Sequence, residues 1–126
     1  MRHRRVIILA LALNISLQAA AADTPATKTW PCYWTRGRIW IAQGGPSIRV
    51  WPVGTRRVLG IVNPKTGVTD VDETDALPDS VTAVLTEDVA VYGNYHICPI
   101  APERRGWMRF VFIDKVAGKL VVRSRN

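Results

Sequence analysis

Residues 37–62, GRIWIAQGGPSIRVWPVGTRRVLGIV, decide the fold class of this chain. A helix across them would have to absorb Gly44, Gly45, Pro46, Pro52 and Gly54, and each glycine or proline inside a helix costs about 1–3 kcal/mol. Between these breakers stand β-branched and aromatic residues: Ile39, Trp40 and Ile41, then Ile48, Val50 and Trp51, then Val58, Leu59, Ile61 and Val62. That is strand composition, and the stretch reads as three strands in a meander. Gly44-Gly45 can take positive φ at both positions of a type I′ hairpin turn, and Gly54-Thr55 fits a two-residue Gly-X turn.

The period of two then sorts the side chains. Ile39 and Ile41 share one face of the first strand, and Arg36, Arg38 and Trp40 the other; in the second, Ile48 and Val50 oppose Arg49 and Trp51. The third strand is apolar on both faces, as suits a central position. Two neighbouring strands therefore present an Arg/Trp face made of Arg38, Trp40, Arg49 and Trp51, with Arg56 and Arg57 at its end. A guanidinium over an exposed indole gains about 0.5–1 kcal/mol. Such a patch suits an unknown exported protein partner or an anionic ligand. The plainer alternative is a self-satisfied ladder in which arginine stems cover the indoles.

Ahead of this stretch, Arg2, Arg4 and Arg5 precede an apolar run at 6–17 and an alanine run at 19–22. The apolar run is too short to span a bilayer, and the pattern is that of a signal peptide over 1–22. Residues 23–29 read as a flexible leader and 30–126 as a single β-rich domain. The expected compartment is the periplasm or the secreted fraction, with no membrane span after cleavage. Loss of the signal peptide leaves 14 basic residues against 10 acidic ones, a net charge of +4 in place of +7. That mild excess, together with export, argues against nucleic acid.

Charge is segregated. Lys28, Arg36, Arg38, Arg49, Arg56, Arg57 and Lys65 have no acid among them, whereas Asp70, Asp72, Glu73, Asp75, Asp79, Glu87, Asp88 and Glu103 have no base among them. Either the acidic segment 70–88 folds against the basic sheet and covers the Arg/Trp face, or that face stays open to an anion. The spacing Asp70-x-Asp72-x-Thr74 is a poor calcium loop, because Asp75 stands where the loop needs glycine.

Cys32 and Cys98 are the two cysteines. In an exported chain an even pair reads as a disulfide, which would stabilise so small a domain by about 4 kcal/mol in the chain-entropy model. No metal site and no cofactor is expected, since His96 is the one histidine beyond the leader.

Asp79 or Ser80 can cap a short helix after Pro78. Residues 89–92 and 95–100 are strand-like, and Gly93-Asn94 between them is either a hairpin turn or a bulge in one long strand. Residues 101–106 read as a loop and 107–115 as a strand. Ala117-Gly118-Lys119 reads as a turn, 120–122 as an edge strand and 123–126 as a polar tail. The order of strands, short helix and further strands fits a mainly β protein with at most one short helix and one disulfide, either a small OB-like barrel or an open β-sandwich.

Cys32, Gly37-Arg38, the Gly-x-Pro at 44–46, Arg49-Val50-Trp51, the run at 54–60 and Tyr92-Gly93-Asn94-Tyr95 leading to Cys98-Pro99 resemble a group of small exported bacterial proteins without an assigned activity. The resemblance covers most of the chain after the leader. It implies an exported β-domain with paired cysteines and carries over no catalytic residue.

These features favour a non-enzymatic binding or interaction module. The alternatives are a binder of an anionic polymer (glycan, lipid headgroup or nucleic acid) and a small hydrolase-like enzyme joining His96 to a carboxylate such as Asp88 or Asp114.

Overall fold

The computed structural model describes residues 30–65 and 76–126. The expected signal peptide, the leader 23–29 and the acidic stretch 66–75, including the calcium-like spacing, lie outside the described residues. The elements run β1 (Tyr33–Ile41), β2 (Ile48–Pro52), β3 (Leu59–Ile61), α1 (Asp79–Thr82), β4 (Val89–Pro99) and β5 (Phe110–Ser124).

The three-strand meander is present, and the sheet continues from it in the order β1-β2-β3-β5-β4 and closes on β1. All pairings are antiparallel except β3 with β5. This is the OB-like barrel of the two architectures expected. Its seam is short: Gly60 faces Phe110 and Ile61 faces Val111. The amides of Gly60 and Val62 donate to the carbonyls of Arg109 and Val111, each at 3.0 Å. As anticipated, β3 is central and wholly buried.

Alternation does the sorting. Ile39, Val50, Ile61, Tyr95, Ile97, Val111 and Ile113 fill the interior, joined by Ala76, Leu77 and Val81 from around the helix. Tyr95 is the largest fully buried side chain, and its hydroxyl donates to the Val91 carbonyl at 2.8 Å. Gly37 and Gly93 face each other across β1 and β4. A Cβ on Gly37 would come within 2.8 Å of the Tyr95 ring, and one on Gly93 within 2.8 Å of Leu120 and 3.0 Å of the same ring, too close to fit without a shift. The missing side chains are what let the ring lie against the sheet. Burial pushes the Tyr95 phenol above its ordinary pKa, and nearby Arg36 opposes the shift.

Several local expectations are corrected. The β1–β2 connection is not a two-residue I′ turn. It spans residues 42–47, closed by the Ala42 amide on the Ser47 carbonyl at 2.6 Å; Gly44 alone of the glycine pair has positive φ, and the Gly45–Pro46 bond is cis. Pro46 is buried against Gly60, which draws the loop away from a tight hairpin. Gly54 is the third residue of a turn closed by the Thr55 amide on the Pro52 carbonyl, 3.1 Å, the position at which a type II turn needs positive φ.

The helix exists, but Pro78 stands at its N-cap with no side-chain cap bond, so neither Asp79 nor Ser80 caps it. Gly93-Asn94 lies within one continuous strand, where the β4–β5 register shifts. Residues 107–109 precede β5 instead of opening it, and β5 continues through 117–119: it bends at Gly118, φ 70°, where pairing with β4 lapses over 118–120, and resumes pairing from Val121 to Ser124. The tail is docked as well, the Arg125 guanidinium donating to the carbonyls of Ile41 and Glu87. Among the described residues no helix is long and apolar enough to cross a membrane.

Candidate functional site: two arginine and tryptophan surfaces

The β1–β2 register places Arg38 opposite Trp51 and Trp40 opposite Arg49, on the outer side of the barrel, with Ile39 opposite Val50 on the inner side. All four outward residues are half-buried. The Arg38 guanidinium carbon lies 4.9 Å from the centroid of the Trp40 ring, so the cation–indole contact runs along β1 and not across the strands. Arg49 donates to the carbonyls of Pro46 and Gln43 at 3.3 Å each, and the Trp51 indole N–H donates to the Thr55 carbonyl at 2.7 Å. Much of the hydrogen-bonding capacity of this face is thus used by the connections at the two ends of β2.

The face is wider than the hairpin. On its other side β1 pairs with β4, which sets Tyr92 beside Arg38, and Arg123 of β5 lies 5.9 Å over the Tyr92 ring. Sequence reasoning assigned Arg123 to a terminal tail and missed it, because the β4–β5 pairing that places it leaves no local signal. Of the acids expected to fold against the sheet, Glu87 and Asp88 border a hollow of about 270 Å³ with Ile41, Gln43 and Arg125. Asp70, Asp72, Glu73 and Asp75 lie outside the described residues.

Arg56 and Arg57 do not extend this ladder. They belong to the β2–β3 connection, which faces the β4–β5 connection across a hollow of about 640 Å³ lined also by Glu103, Arg104, Arg105 and Trp107. Arg57 pairs with Glu103 there. The sequence signal was present in the Arg-Arg-Gly-Trp run at 104–107. It was unusable without knowing that the two connections share one end of the barrel.

No family model, curated protein or solved structure matches the chain.

The third cluster surrounds the disulfide. The β1–β4 register, extended one step past Tyr33 and Ile97, brings Cys32 opposite Cys98, and the two are bonded across a sequence separation of 66. His96 Nδ1 lies 2.6 Å from Asp114 Oδ1 and 3.9 Å from Cys98 Sγ, and the His96 ring stacks on Trp34 with centroids 4.9 Å apart. The sulfur atoms and the imidazole all lie within 4.8 Å of one another, but a metal needs thiolates and these sulfurs are bonded to each other. As it stands the cluster offers an imidazole–carboxylate pair without a nucleophile. Asp88, the other carboxylate considered for His96, is eight residues away along β4, about 27 Å of strand.

Proposed function

We propose that the protein is an exported, non-enzymatic binding module, periplasmic or secreted, and that the outer Arg/Trp face of β1 and β2 is its binding surface. The observation that carries this reading is the register: Arg38 against Trp51 and Trp40 against Arg49, four part-exposed side chains on a rigid two-strand platform. Sheet residues hold their positions better than loop residues, so little ordering entropy is lost on binding. The paired cysteines support the compartment, because disulfides persist where thiols are oxidised.

The hydrolase alternative draws support from the His96–Asp114 contact, an imidazole oriented by a carboxylate. It lacks the third component. The sulfur nearest His96 belongs to Cys98 and is held in the disulfide.

Capture of partners from an exported fraction on the immobilised mature chain tests the proposal. Arg49→Ala should weaken capture while stability changes by under about 1 kcal/mol. A large loss of stability with capture unchanged per folded molecule would reassign the face to a structural role.

A further inference from the structure

The hollow between the β2–β3 and β4–β5 connections has features that the ladder lacks. Together with an adjoining hollow of about 260 Å³ that shares Arg57 and Glu103, it is lined by five arginines, Arg56, Arg57, Arg104, Arg105 and Arg109, against one carboxylate. Two of the five are fixed: Arg57 by Glu103, and Arg109 by its donation to the Ala101 carbonyl at 2.9 Å. Arg56, Arg104 and Arg105 are exposed. Trp107 stands at the rim with 70% of its surface exposed, the most exposed large hydrophobic side chain among the described residues. Its position is set by a turn, in which its amide donates to the Arg104 carbonyl at 3.1 Å and Gly106 takes φ 79°.

We infer that this hollow is a binding site for an anionic polysaccharide, separate from the β1–β2 face. Guanidinium forks match sulfate and carboxylate oxygens. An exposed indole offers a flat apolar surface on which the C–H face of a sugar ring can pack. Both are needed for a ligand that alternates rings with charged substituents. The hollow between the two connections is wide enough to receive a chain. Non-specific binding of single-stranded nucleic acid uses successive aromatic platforms along a basic groove; here Trp107 is the one largely exposed ring among the arginines, and Tyr33, which lines the adjoining hollow, is more than half covered. The disulfide also indicates an oxidising compartment, where extracellular glycans are the abundant polyanions.

The test is calorimetric titration of the mature chain with heparin oligosaccharides, alginate oligosaccharides, single-stranded DNA of matched charge, and phosphatidylglycerol vesicles. At least one glycan should bind more tightly than DNA or vesicles, the stronger of the two identifying sulfate or carboxylate as the recognised group. Its affinity should fall as salt rises from about 50 to about 200 mM, through release of condensed counterions. Arg104→Ser with Arg105→Ser should weaken glycan binding by about tenfold or more, a loss of about 1.4 kcal/mol, and flatten the salt dependence. Trp107→Ala should weaken it while leaving the salt slope in place. Arg38→Ala, on the other face, should leave it unchanged, so failure here is separable from failure of the β1–β2 proposal. Tighter binding of DNA or vesicles, absence of glycan binding at low salt, or indifference to Trp107→Ala would each overturn the inference.

Discussion

The β1–β2 ladder and the loop hollow draw on the same residue types and use them in opposite ways. On the ladder, the pleat holds Arg38, Trp40, Arg49 and Trp51 in fixed cross-strand order. Arg49 finds partners in the β1–β2 connection and the Trp51 indole in the β2–β3 connection, and Arg38 lies over Trp40. In the hollow, arginines from two connections converge on one space with a single carboxylate among them, and Trp107 stays in water. On the ladder the outward polar groups reach the carbonyls of the connections that flank β2, and Arg38 covers a ring of its own strand. A loop held by turns can leave such groups aimed at solvent. The difference separates a surface whose side chains are already ordered by their neighbours from one whose charges gain most from a ligand.

The largest effect should come from the disulfide. Replacing Cys32 and Cys98 with alanine should lower stability by about 4 kcal/mol in denaturant unfolding, the chain-entropy value for a closed loop of this size. It unties β1 from the end of β4 that leads into the Arg104–Arg105 loop. A loss below about 1 kcal/mol would mean that the barrel seam, and not the cross-link, holds that end together.

The comparison of the tryptophans is more direct. Trp51→Ala should cost about 2 kcal/mol, roughly half the figure for a fully buried tryptophan, since the ring is half-buried and its N–H is bonded to Thr55. Trp107→Ala should change stability by less than about 0.5 kcal/mol. Equal costs in paired melts would dissolve the distinction between the surfaces.

Tyr95 tests the interior beneath the ladder. Its phenol is held above the ordinary 10.0, so the folded state favours the neutral form. Its contribution is complete below the unfolded pKa and is lost as pH rises from about 10 towards the folded value. Tyr95→Phe should cost about 1 kcal/mol at neutral pH through the lost bond to Val91. It should also reduce the decline of stability above pH 10, read from melts across that range. An unchanged alkaline slope would place the titrating group elsewhere.

The smallest effect is expected at Glu103. Its pair with Arg57 is about half exposed, and such pairs contribute roughly 0–1 kcal/mol. Glu103→Gln should therefore leave the melting curve almost unchanged while strengthening heparin or alginate binding in the same titration, by removing the one carboxylate from the hollow. Weaker binding would show that Glu103 organises the arginines instead of opposing the ligand.

What the sequence determined was local. Breakers at 44–46, 52 and 54 excluded a helix, and alternation with a period of two assigned Ile39 and Val50 inward and Arg38, Trp40, Arg49 and Trp51 outward before any pairing was known. The even cysteine pair announced a disulfide for the same kind of reason, chemical type and number. The tertiary structure decided whatever depended on distant pairing. Arg56 and Arg57 left the ladder because the short parallel seam of β3 with β5, and the return of β4 beside β1, put the β2–β3 and β4–β5 connections at one end of the barrel. Trp107 lies outside β5, although its neighbours read as strand, because pairing with β3 begins at Phe110. Arg123 joined Tyr92 through a register shifted at Gly93. The alternation of a strand is written in its own residues. Which strand it meets, and in what register, is set by closure of the whole sheet, and the convergence of arginines on the hollow belongs to that closure.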